Sequence, residues 1–120
     1  MIISHYKLNT LYFSATHTTK KVTSGIAEGF SKAMIIKENI NNIDFTLPKT
    51  REKSVSFSKN DIVIVGVPVY AGRVPKVLLK YLNSIKGKGA LAVAVVVYGN
   101  RNYDDALIEL RDILELVVIG

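Results

Sequence analysis

The chain contains no cysteine, which excludes disulfides, iron–sulfur ligation and thiol catalysis. Histidine is nearly absent too: His5 and His17 stand far apart, without metal-ligand spacing. No apolar run approaches the roughly 20 residues that a membrane-spanning helix needs. The N-terminus, MIISHYKLNT, lacks a basic segment followed by a long apolar one, so no export signal is visible. These absences lead to the expectation of a cytoplasmic protein without membrane contact. Internal repeats and low-complexity linkers are missing as well.

What is present is a domain-sized chain of 120 residues, 48% hydrophobic and 22% charged, the composition of a globular protein. Its net charge of +6 is unevenly spread. Residues 1–90 carry 14 Lys/Arg against 5 Asp/Glu, a balance of +9, and residues 91–120 carry 2 against 5, a balance of −3. A field of that sign favours an anionic partner, and a solvated basic surface is the plain alternative.

Two near-continuous aliphatic runs, DIVIVGV (61–67) and LAVAVVVY (91–98), suit central parallel strands covered on both faces. LNTLYFS (8–14) reads as a shorter first strand and NIDF (42–45) as a weak edge strand. Between them lie helical patterns. Val22, Ile26, Ala27 and Phe30 recur at helical spacing after residue 17, and Val77, Leu78, Tyr81, Leu82 and Ile85 follow Pro75. Asp104 or Asp105 can cap a third helix facing inward through Leu107, Leu110, Ile113 and Leu114. PKTREKSVSF (48–57) holds one short helix or a loop. The alternation predicts a three-layer α/β domain with a parallel sheet, and the final LELVVIG reads as the start of a fifth strand.

In such sheets ligands bind beyond the carboxyl ends of the strands, where strand order reverses. Three loops fall there. SATHTT (14–19) puts the hydroxyls of Ser14, Thr16, Thr18 and Thr19 at a helix start, where unpaired amides and the helix dipole hold anions. The same residues are ordinary helix caps, so capping stays open beside phosphate binding. The loop is not a Walker motif, because it lacks the glycines and the Gly-Lys-Ser/Thr ending. VPVYAGRVP (67–75) sets Tyr70 beside Gly72, with Arg73 beyond. YGNRNYDD (98–105) flanks Gly99, Asn100, Arg101 and Asn102 with Tyr98 and Tyr103. A phosphorylated, flat, aromatic ligand meets all three, flavin mononucleotide (FMN) among others.

At this point the segments YFSATHTTKKV (12–22), VGVPVYAGRVP (65–75) and VVVYGNRNYDDALIELRDIL (95–114) resemble the flavodoxin-like family. The likeness is to the domain found alone or fused to ferredoxin modules in anaerobic bacteria. It implies one domain over 1–120, with strand order 2-1-3-4-5, the fifth strand cut short and the usual last helix absent. It implies FMN, its phosphate held by the loop Ser14, Ala15, Thr16, His17, Thr18 and Thr19. Pro68, Val69, Tyr70, Ala71 and Gly72 would line one side of the ring, and Tyr98, Gly99, Asn100 and Tyr103 the other. Ala15 and His17 stand where family phosphate loops commonly have glycine, and the chain is basic where many electron-transfer flavodoxins are acidic.

The function implied is an electron carrier working with a redox partner protein, a ferredoxin or a reductase, with no catalytic side chain. A homodimer would cover the sheet face that the missing helix leaves bare. An NAD(P)H-dependent flavin or quinone reductase, with Arg73 and Arg101 meeting the second cofactor, is the alternative on the same fold. A cofactor-free binding module is a third class. A phosphoacceptor receiver is disfavoured, since neither the loop after Ser14 nor the one at Pro68 holds an aspartate. Nucleic-acid binding is disfavoured because no basic stripe or aromatic sheet face exists.

Overall fold

A computed structural model describes residues 5–14, 18–36, 38–68, 74 and 76–97. Its elements run β1 (Lys7–Tyr12), α1 (Thr18–Met34), β2 (Asn41–Asp44), a 3₁₀ helix (Pro48–Glu52), β3 (Asp61–Pro68), α2 (Lys76–Ser84) and β4 (Leu91–Val97). The four strands form one sheet of order β2-β1-β3-β4, and every pairing is parallel. The protein is therefore α/β with an all-parallel sheet. The expected third helix and fifth strand lie outside the described residues.

β3 is central because its sequence tolerates burial on both sides: Ile62 through Val67 are all buried. Its alternating side chains serve two cores. Val63, Val65 and Val67 join Leu11, Leu78 and Leu82 on the α2 face, and Ile62 and Ile64 join Leu8, Ala27 and Val95 on the α1 face. β2, with the polar sequence NNID, is an edge and mostly exposed. β1 stops at Tyr12, so Phe13 and Ser14 belong to the following loop rather than to the strand. Helix α1 ends where Ile35 enters the left-handed region, φ 54°, and the Ile36 amide donates back to the Ser31 carbonyl at 3.0 Å.

The apolar stripes differ in part from expectation. On α1 the fully buried positions are Thr19, Thr23 and Ala27, while Val22 is 40% exposed. On α2, Leu78, Tyr81 and Leu82 are buried as expected, with Ile85 just beyond the helix, but Val77 is 64% exposed. Periodicity counted apolar residues, whereas packing selects the face whose shape fits the sheet.

A polar ladder fixes strand register at the amino end of the sheet. Buried Asn9 donates from Nδ2 to Asp61 Oδ1 at 3.2 Å and to the Ile62 carbonyl at 3.3 Å. Its Oδ1 accepts from Asn41 Nδ2 at 3.0 Å, and Asp61 also accepts from the Ser58 amide at 2.8 Å. Asn9 thus ties β1 to both neighbours. Asn9→Ala is expected to cost about 1–3 kcal/mol, because buried acceptors lose their donor. Urea unfolding should show a lower midpoint with an unchanged slope.

On the α2 face, Phe45 sits fully buried between Phe13, at 6.2 Å, and Tyr81, stacked at 4.8 Å. Burial pushes the Tyr81 phenol above its ordinary pKa of 10.0. The folded state then keeps a proton that the unfolded chain releases at lower pH. Stability from this group is whole below about pH 10 and is lost as pH climbs toward the raised folded value. Thermal melts across that range should fall less steeply for Tyr81→Phe than for the wild type.

Candidate functional site

Because all four strands run the same way, their carboxyl ends share one rim. Order reverses around β1: the chain goes from β1 to β2 on one side, then returns to β3 on the other. Tyr12, the last residue of β1, is in register with Gly66, and Pro68 at the end of β3 is in register with Val97 at the end of β4. The carboxyl ends of β3 and β4 therefore lie side by side.

Ser14 is held between two elements. Its amide donates to Thr46 Oγ1 at 2.9 Å, and its own Oγ accepts the Lys20 amide, in the first turn of α1, at 3.1 Å. Thr46 is fixed in turn by Asp44, which accepts from both the Thr46 hydroxyl and the Thr46 amide, the latter at 2.8 Å. Arg51 completes the corner. Its Nη1 donates to the carbonyls of Phe45 at 3.0 Å and Thr46 at 2.7 Å, and its guanidinium lies 5.7 Å from the Phe13 ring centre. Tyr12, the register partner of Asp44, has its phenol pKa raised by burial first and by that carboxylate second. Asp44, Thr46 and Arg51 were not among the residues expected at this site. An Asp-x-Thr spacing after a strand is the signal that marks such a turn.

The hydroxyls of the 14–19 loop are not equivalent. Ser14 acts as a helix cap, accepting the Lys20 amide. Thr18 is exposed at the first position of α1, while Thr19 is only 3% exposed and faces the sheet. Thr19 and Thr23 pack on Gly66: a Cβ built at Gly66 would lie 1.9 Å from Thr23 Oγ1 and 3.2 Å from Thr19 Cγ2. The absent side chain at Gly66 lets the first two turns of α1 sit against β3. Thr23 Oγ1 is buried there without a hydrogen-bond partner. Ala15, Thr16, His17, Val69, Tyr70, Ala71, Gly72, Tyr98, Gly99, Asn100 and Tyr103 lie outside the described residues. Pro68 ends β3, half-buried.

The described part of this corner fits an anion. Amides of Thr18 and Thr19, at the first two helical positions, have no acceptor within the helix, and no acidic residue stands in the first turn of α1. Asp44 is the nearby opposing charge, and both of its contacts with Thr46 draw it into the turn. Among the described residues there is no group of three or more His, Asp or Glu able to hold a metal ion, and no helix is long and apolar enough to cross a membrane. No protein-family model, curated protein or solved structure matches this chain.

Proposed function

We propose that this chain binds FMN at the carboxyl ends of β1, β3 and β4 and acts as an electron-transfer protein of the flavodoxin-like type. The observation that carries the reading is the strand order with its reversal at β1, together with the first turns of α1 packed on Gly66 near the end of β3. In this reading the finer topology is 2-1-3-4-5, with the fifth strand after Leu114. Bound FMN supplies the redox chemistry. The chain's own residues bind and orient. The amides of Thr18 and Thr19, the Thr18 hydroxyl and the Ser14 hydroxyl would hold the phosphate, and the positive end of α1 would favour its charge. Ser14 keeps its place through Thr46 and Asp44. The resemblance assigns the ring to Val69–Gly72 and to Tyr98, Gly99, Asn100 and Tyr103. A ferredoxin or reductase is the partner class that follows.

Flavin emission titrated with purified protein tests this. Saturable quenching with a dissociation constant of about 1 μM or tighter is expected. Unchanged emission at protein concentrations of about 100 μM would end the reading. Quenching accompanied by steady NAD(P)H oxidation would move the assignment from carrier to reductase.

A further inference from the structure

A second surface lies between the 3₁₀ helix and α2. Pro48, Arg51 and Glu52 of the former, with Ser54 just beyond it, face Val77, Lys80, Tyr81 and Ser84 of the latter across a groove of about 470 Å³. On α2 these positions follow i, i+3, i+4, i+7 spacing, so they form one stripe. An adjoining cleft of about 550 Å³ runs past Lys49 and Lys53 to the edge strand β2.

Two features of this surface need an account. The first is exposed aliphatic area: Val77 is 64% exposed and Leu47, next to Pro48, is 65% exposed, against a floor of buried Tyr81. The second is charge. The two clefts are lined by four cations, Lys49, Arg51, Lys53 and Lys80, against the carboxylates of Glu52 and Asp44, the latter drawn to Thr46, and Lys76 stands beside Val77 at the start of α2. Arg51 is spent on the Phe45 and Thr46 carbonyls. Among the described residues the four lysines have no ion-pair partner. An aliphatic strip rimmed by unpaired lysines matches a surface of the opposite composition.

From this we infer that the groove docks an acidic protein segment, one that seats an aliphatic side chain against Val77 and Pro48 and sets its carboxylates on Lys80, Lys76, Lys49 and Lys53. The apolar strip favours a protein over a nucleic acid. Phosphates make no use of Leu47 and Val77, and the aromatic residue that lines the groove, Tyr81, is buried and unavailable for base stacking. The inference does not rest on FMN binding: the groove and the α1 N-terminus share no residue, and Arg51, which lines the groove, braces the Phe45–Thr46 corner through backbone carbonyls.

Fluorescence anisotropy tests it with the full chain and a short fluorescein-labelled peptide of glutamate and aspartate with interspersed leucines. The wild type should bind saturably at low salt. Lys80→Glu should weaken binding about tenfold and Val77→Ala about threefold. Lys32→Glu, an equal charge change on exposed α1 across the sheet, should weaken it less than about twofold. A peptide with serine in place of leucine should bind less well. Circular dichroism melts establish that each variant is folded. Equal losses for Lys80→Glu and Lys32→Glu, indifference to Val77→Ala, or no peptide binding at low salt would each overturn the inference. So would tighter binding of single-stranded DNA that ignores Val77.

Discussion

Gly66→Ala is expected to destabilise the protein by about 3 kcal/mol, although alanine normally strengthens a strand relative to glycine. The reason is distance. A methyl group at that position would fall 1.9 Å from Thr23 Oγ1 and 3.2 Å from both Thr23 Cβ and Thr19 Cγ2. These are short, stiff side chains in the first turns of a helix, so relief requires α1 to move away from β3. Thr23→Ala should lie near wild-type stability: it removes a buried hydroxyl that has no partner while giving up one packed methyl. In the Gly66→Ala background the same change should recover about 1–2 kcal/mol, a coupling of the size seen between touching residues. Chemical unfolding of the four proteins in this cycle reads the coupling directly. Additive losses would mean that Gly66 does not set the helix–sheet distance.

Phe45→Ala should cost about 3–5 kcal/mol, a large share of the 5–15 kcal/mol that holds a typical domain together. Phe45 lies one residue past the edge strand, yet it is fully buried and touches both Phe13 and Tyr81. Its removal opens a cavity between the loop after β1 and helix α2. Neither wall collapses readily, because Arg51 ties the Phe45 and Thr46 backbone to the 3₁₀ helix. Phe45→Leu keeps much of the volume and should lose roughly half as much. Urea denaturation monitored by circular dichroism separates the two variants. Near-wild-type stability for Phe45→Ala would show that this corner is not part of the cooperative core.

The strands were legible because their sequences leave little choice. The aliphatic runs at 61–67 and 91–98 match β3 and β4 to within a residue among the described positions, and the weak edge strand at 42–45 differs from β2 by one. The buried face of α1 was less legible. An apolar count selects Val22, Ile26, Ala27 and Phe30. Ala27 is buried and Ile26 and Phe30 pack against the core. Val22 is exposed, and Thr19 and Thr23 take its place because a glycine in β3 rewards small side chains opposite it. Val77 misleads for a related reason: its spacing is right for α2, but its neighbour across the gap is a polar 3₁₀ helix rather than the sheet. At the site, the cluster of hydroxyls in 14–19 was readable as an anion-binding or capping loop. Which hydroxyl does what was not, since Ser14 takes its geometry from Thr46 and Asp44, thirty or so residues away in sequence and joined only by the parallel β1–β2 pairing.

The most direct measurement of the central claim compares FMN with riboflavin, which has the same ring and no phosphate, by calorimetric titration of the purified protein. If the N-terminus of α1 holds the phosphate, FMN should bind at least about tenfold more tightly, and added inorganic phosphate should narrow the difference. Equal affinity for the two flavins, or no binding of either, would contradict the account.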